Sequence, residues 1–295
     1  MSIALSDAHR ARRRYRLRRG LSAAGSAVLA IVLLIWSLAP VYQMFLIALD
    51  PEEGEIEFDG NIWPPEPSLE GFRAVVTQEA RYLEDFWHQF GNSLFIGLVT
   101  MFLTVMIASL ASFAVSRMRL SKGSLLINAA LLTYAIPASF LIVPYFQIMH
   151  GYGLTDSLWS VIAAHVAFAI PFALLMLQLY GSLVPLDLED AARVDGASAV
   201  QVYLRIYLPL MVPALAVVAV YALLLAWNDY LYQAVLLAPR NSTVSVTQGL
   251  LFSDTDAEWN AMMAAAIIYV LPPIALLFAL RRYVMAGLTL ADGER

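Results

Sequence analysis

Six stretches of this chain are each long and apolar enough to cross a bilayer, and no other feature narrows its fold as far. They run over about residues 21–48, 91–115, 124–149, 157–180, 206–227 and 261–283, each at or above the ~20 residues that a helix needs to span the hydrocarbon core. Hydrocarbon offers no partner to an unpaired backbone amide, so such stretches must fold as helices. The expected class is therefore an all-α membrane protein with six transmembrane helices. Composition agrees, since 60% of the 295 residues are hydrophobic and 14% charged, too apolar a mixture for a soluble domain. The arginine-rich start is followed by an apolar segment that is long and lacks a small-residue cleavage site, so it reads as a retained first span. With no cysteine, disulfides and thiolate metal sites are excluded.

Charge is sorted along the chain. Placing the start, the end and the loops after spans two and four on one face collects fifteen of the eighteen basic residues there, with Arg73, Arg81 and Arg240 opposite. By the positive-inside rule both termini and the loop over 181–209 are then cytoplasmic. This divides the chain into a basic segment 1–20, a six-span domain 21–283 and a tail 284–295. The outward loop 50–88 carries eleven acidic residues against two arginines, with Trp63, Phe72, Tyr82 and Trp87 among them; it reads as an acidic interface segment or as a platform for a soluble partner. The second outward segment, 229–260, holds an apolar run, 231–238, too short to span and expected to form a re-entrant or outer-surface helix. Nothing in this charge pattern calls for nucleic acid.

The segment 186–213, LDLEDAARVDGASAVQVYLRIYLPLMVP, departs from the rest. Asp187, Glu189 and Asp190 load the first turn of a short helix with negative charge, where the helix dipole favours it, and Asp195-Gly196 supplies a stop. Ser198 with Gln201 three residues on predicts a capping box for a second helix running into the membrane. Ala191 and Ala192 leave the surface small. Two helices meeting at a glycine make a knob that insertion does not require and that suits docking.

This segment resembles the EAA loop of permease subunits of ATP-driven importers, E-A-A-x3-G-x9-I-x-L-P, through Asp190-Ala191-Ala192, Gly196, Ile206, Leu208 and Pro209. The run DGAS at 195–198, Trp227-Asn228-Asp229, and RRYVMAGLT at 281–289 are similar to the carbohydrate branch of ATP-binding-cassette importers, the maltose-type second permease family. One departure is that the first motif glutamate is Asp190 here, with Glu189 beside it. The resemblance implies the type I importer permease fold with cytoplasmic coupling helices. It implies ATPase coupling through Glu189, Asp190, Ala191, Ala192, Asp195, Gly196, Ala197 and Ser198. It also implies a second homologous permease, two ATPases that bind ATP and Mg, an external substrate-binding protein, a bacterial-type cytoplasmic membrane, and a sugar as cargo. A polyol, a glycerol phosphodiester or a sugar acid is the alternative cargo.

Within the spans, prolines at 137, 144, 171, 209, 213, 272 and 273 are expected to bend helices around a cavity. Asn128, Tyr134, Gln147, His165, Tyr221, Trp227 and Asn228 are the polar or aromatic candidates for a solute pathway. For each the competing reading is a helix-to-helix hydrogen bond or an interfacial anchor, and His165 in the fourth span has both readings open. No paired acid and base at depth, no H-E-x-x-H and no nucleophile elbow point to catalysis. The sequence has no G-x-x-x-x-G-K-[ST], so an ATP-driven cycle draws on a partner. An ion-coupled transporter would need carboxylates within the spans, and all acidic residues fall outside them; a membrane scaffold would explain the knob but not the polar-dotted, proline-rich helices.

Overall fold

The structure is a computed structural model that describes residues 2–51, 62–64, 66–80, 83–118, 122–182, 184–251 and 258–292, with the backbone alone for 2–22, 124, 126 and 284–292. The side chains of the basic start, the acidic positions 52–61, Arg81, Tyr82, Arg119 and Arg295 lie outside that description. Among the described residues there is no strand, and the long helices coincide with the apolar stretches. The chain forms two compact units.

The first unit takes residues 1–74 and 258–267. Its long helix α1 (Ser2–Ala48) is exposed from 23 to 42, as suits a helix bounded by lipid or by another subunit. The chain then turns: the Ser68 N–H donates to the Leu49 carbonyl at 2.8 Å, and the Asn260 amide donates to the Asp50 carbonyl at 3.2 Å. Helix α2 (Glu70–Thr77) starts so close to this corner that a Cβ on Gly71 would stand 2.8 Å from the backbone of Asn260. Only glycine fits that approach.

The second unit takes residues 75–257 and 268–295. Helices α3 (Phe86–Arg117), α6 (Leu158–Gly181) and α9 (Leu208–Asn228) form its centre. Helices in lipid gain little from the hydrophobic effect and associate through close packing of small residues. Here Ala108, Ala164, Ala169, Ala173 and Ala222 are all fully buried. One apolar cluster joins Phe113, Leu177, Tyr207, Met211 and Val218, and a second joins Ile96, Val161, Ile162, Ala226 and Leu236. Helix α12 (Trp259–Asp292) closes the sequence.

The third expected span is broken. Helix α4 (Gly123–Leu132) ends in a short 3-10 turn, and α5 (Ala138–Gly151) leaves at 105° to the segment before it. Pro137 has no N–H and disfavours helical geometry in the residue before it, and Ile136 is accordingly extended, at φ −97° and ψ 117°. Counting the bent pair as one span gives six. The other prolines, Pro144, Pro171, Pro213, Pro272 and Pro273, all lie inside helices that continue through them. Pro209 follows a π-helical turn (Tyr203–Tyr207) whose wider ring lets the Leu208 N–H reach the Tyr203 carbonyl, in the way π-bulges absorb a local misfit.

Beyond α9 lie two short helices, α10 (Leu231–Leu236) and α11 (Val244–Leu251), so the run 231–238 is a short helix as expected. The polar stretch after it turns inward. Thr247 donates to Gln89 at 2.7 Å, the Asn92 amide donates to the Ser242 carbonyl at 3.0 Å, and the Val244 N–H donates to Ser93 at 3.2 Å, all onto α3.

Asp156 holds the turn before α6 to the segment 238–241. Its Oδ1 accepts from the Ala238 N–H at 2.8 Å and its Oδ2 from Arg240 Nε at 2.7 Å. It sits at φ +59°, a left-handed conformation that aspartate tolerates better than most residues. The Ala238 N–H, followed by the Arg240 and Asn241 side chains, holds its carboxyl below the usual carboxylate value against the opposing effect of burial. A lowered folded value means the stabilisation is present above the ordinary carboxylate range and is lost as pH falls through the depressed value. We expect exchange protection of the Ala238 amide, corrected for intrinsic pH effects, to persist at neutral pH and fall in acid. Asp156→Leu should remove it at all pH values, and unchanged protection in that variant would show that the latch holds nothing.

Candidate functional site

The knob forms as its sequence demands. Helix α7 (Asp187–Val194) begins with Asp187, Glu189 and Asp190 in its first turn. It stops at Asp195-Gly196, where the Ala197 N–H donates back to the Ala192 carbonyl at 2.9 Å, closing the orphan carbonyls of the last turn. Gly196 is at φ +86° with open space around its missing Cβ, so a side chain there costs ~1 kcal/mol or more in backbone strain rather than in a clash. Ser198 caps α8 (Ala199–Val202) in the predicted box: its backbone N–H donates to Gln201 Oε1 at 2.8 Å and its hydroxyl accepts from the Gln201 N–H at 3.3 Å.

What fixes this knob to the bundle was not legible in the sequence. Glu189 is 1% exposed and turns inward, its Oε1 3.0 Å from Nε of Arg117, the last residue of α3. Arg117 also donates to the Gly181 carbonyl at 3.1 Å and lies 5.9 Å from the Tyr207 ring centre, while Arg193 of α7 donates to the Arg117 carbonyl at 3.3 Å. One arginine thus ties the ends of α3 and α6 to α7. Burial raises the Glu189 carboxyl above its usual value, with Arg117 and then Arg193 pulling it back. Nearby, Tyr203 and Tyr207 pair with Ser109 at 2.8 Å and Ser112 at 3.1 Å of α3. Charge sorting used Arg117 only as a topology marker after the span over 91–115, and the structure extends that helix to include it.

The remaining coupling candidates divide. Asp190, Ala191, Asp195, Gly196 and Ser198 are exposed, whereas Ala192 and Ala197 are half-buried against the chain's own apolar cluster. Leu188, Val194 and Val200, at 54%, 87% and 65% exposed, give the knob apolar side chains with no cover in this chain.

A cavity of about 260 Å³ lies at the break between α4 and α5, lined by Thr133, Tyr134, Ile136, Pro137, Ala138, His165, Phe168, Leu225, Asp229 and Tyr232. It brings together two pathway candidates, Tyr134 and His165, and Tyr221 joins through a 3.0 Å hydroxyl contact with Tyr134. Trp227 is buried elsewhere, stacked on Tyr269 at 4.7 Å. Asn128, Gln147 and Asn228 are exposed and do not line the cavity. The expectation of no acid–base pair at depth is corrected: Asp229, the residue after α9, brings Oδ2 to 3.2 Å from His165 Nε2 within α6. Read linearly, Asp229 belongs to a loop, and only the folding back of α10 turns it toward α6, where the same oxygen accepts from the Tyr232 and Gln233 N–H groups.

Over residues 97–289 the sequence matches the family described as binding-protein-dependent transport system inner membrane component. The chain belongs to that family. It is 31% identical over 274 residues, 92% of this chain and 96% of the other, to the inner membrane ABC transporter permease protein YcjP of Escherichia coli. It is 30% identical over 266 residues, 89% and 94% of the two chains, to the trehalose transport system permease protein SugB of Mycobacterium tuberculosis. Its fold matches a chain of a bacterial ABC transporter involved in the import of the acidic polysaccharide alginate, with TM-score 0.71 and 20% identity, over 89% of this chain and 96% of that one. The protein is a permease subunit of the ABC importer class, multi-pass in the membrane, with the type I fold.

The anchor predicts a double-mutant signature. Arg117→Met or Glu189→Leu alone leaves a buried unpaired charge, at a cost of about 3–5 kcal/mol, and should lower the thermal midpoint in detergent. The double variant should recover most of that loss. Additive losses would show that the two charges are not coupled.

Proposed function

We propose that this permease is one of two homologous membrane subunits of an importer that carries a carbohydrate inward, with the loop 181–209 on the cytoplasmic side seated on one of two ATPases. The observation that carries this reading is the knob's uncovered apolar set, Leu188, Val194 and Val200, beside a concavity of about 380 Å³ lined by Ala192, Asp195, Gly196, Gln201 and Arg205. Exposed apolar side chains ringed by polar ones mark a protein contact, and Glu189, buried on Arg117, holds that surface in place rather than joining it. ATP and Mg belong to the ATPases in this reading, and the chain holds no cofactor of its own. Charge sorting supports cytoplasmic termini and an outward segment 229–260, where a soluble binding protein would approach.

A sugar cargo is supported by the company the chain keeps, which includes permeases of trehalose, diacetylchitobiose and alpha-glucoside transport systems. A polyol, a glycerol phosphodiester or a sugar acid is the second reading for the cargo.

The cysteine-free chain allows a direct topology test. Val194→Cys should react with an impermeant thiol reagent only from the cytoplasmic side, and Leu250→Cys, on the exposed face of α11, only from outside. Saturating ATPase subunits should protect Val194→Cys. Labelling of Val194→Cys from outside would remove the knob from any ATPase and overturn the proposal.

A further inference from the structure

We propose that Arg117 and Glu189 are positioning residues for coupling: their buried pair fixes the angle of the knob to α3 and α6, so that knob and helices move as one body when an ATPase moves. This rests on the importer reading above and adds the residues inside this chain on which its coupling depends.

Arg117 stands where four elements meet. It is the last residue of α3, and its Nη2 donates at 3.1 Å to the carbonyl of Gly181, the last residue of α6. Its guanidinium lies 5.9 Å from the ring of Tyr207, at the end of the π-helical turn that leads into α9. Its Nε faces Glu189 of α7 at 3.0 Å, with the two side chains 5% and 2% exposed. The last carbonyls of a helix have no partner within it and carry the negative end of its dipole. A planar guanidinium with five donors can serve such a carbonyl and a carboxylate together.

Glu189 has nothing to fall back on. Neither of its oxygens accepts a hydrogen bond among the described residues, so its partners are Arg117 and, by charge alone, Arg193. Arg193 in turn donates to the Arg117 carbonyl, and α7 thus grips the same residue twice. Ala192 and Ala197 also touch the apolar cluster, but apolar contact is non-directional; it keeps the knob close without setting its angle. A buried ion pair adds little stability over apolar residues of similar size, so a pair at this corner points to a task other than stability. The neighbours of Glu189 fit that division, since Leu188, Asp190 and Ala191 are exposed on the outer side while Glu189 faces in.

The cysteine-free chain allows nitroxide labels at two exposed positions, Leu110→Cys on α3 and Asp187→Cys at the start of α7. Pulsed electron-spin distance measurements on the full complex, with its ATPases and binding protein in nanodiscs, compare the nucleotide-free state with the ATP–vanadate state. With Arg117 and Glu189 intact, the distance should be the same in both states. In the apolar double variant Arg117→Met/Glu189→Leu, it should differ between states by about 2 Å or more, the scale on which packed helices shift. Arg117→Lys, which keeps the charge beside Glu189, should restore most of the constancy, a recovery that a loss of general stability would not give. Glu189→Gln, which keeps the shape of the side chain and removes its charge, replaces the double variant if that one fails to assemble. A distance that changes with intact Arg117 and Glu189, or that stays constant in the variants, would overturn the positioning role. So would loss of ATPase co-purification in every variant, which would make the pair a folding element only. A wild-type subunit that recruits no ATPase would instead sink the importer reading beneath it.

Discussion

A backbone amide inside a bilayer has no water to turn to, and the irregular parts of this permease lie where the chain supplies a substitute. The helix break at Ile136-Pro137 opens beside Tyr232, whose hydroxyl donates to the Ala138 carbonyl. The π-helical turn before Pro209 keeps its ladder through the Leu208 N–H. The return from α9 to α10 is capped by Asp229, which accepts from two successive backbone N–H groups. At the return a side chain and before Pro209 a widened ring replace the regular helical bond, at the break Tyr232 adds a bond to the first carbonyl of α5, and at the break and the return the same residues shape the cavity.

The other dependence is electrostatic. The knob makes its own turn and its own caps, and it is held to the bundle by Glu189 on Arg117, by Arg193 on the Arg117 carbonyl, and by Ala192 and Ala197 against the apolar cluster. Burying both charges is costly and is tolerable only while they remain paired. That makes the pair a sensitive connection between α7, which presents the exposed Leu188 and Val194, and α3 and α6, which form the centre of the second unit. His165 of that same α6 borders the cavity. The helices that Arg117 ties to the knob are thus among those that bound the cavity.

Much of this was legible in sequence because it follows from local rules. The six apolar stretches, the Ser198–Gln201 capping box, the stop at Asp195-Gly196 and the short helix after residue 230 depend on neighbours within a few positions. What escaped depended on distant partners. Glu189 and Asp190 are alike in composition, and nothing local says that one turns inward to an arginine 72 positions earlier in the sequence. Asp229 looks like a loop carboxylate until α10 folds back and sets it against His165. Trp227 and Asn228 stand next to Asp229 in sequence, yet only Asp229 reaches the cavity, because helical rotation at the end of α9 sends Trp227 onto Tyr269. Among the prolines, only Pro137 interrupts its helix, while five others lie inside continuous ones.

The central claim is that the knob centred on Gly196 transmits ATPase action to the membrane helices. Binding-protein-stimulated ATP hydrolysis by the reconstituted complex carrying Gly196→Val tests it most directly. The strain falls on the turn at φ +86° with no clash around it, so the variant subunit should insert and recruit its ATPases while stimulation and uptake are lost. Full stimulation and normal uptake in that variant would contradict the account.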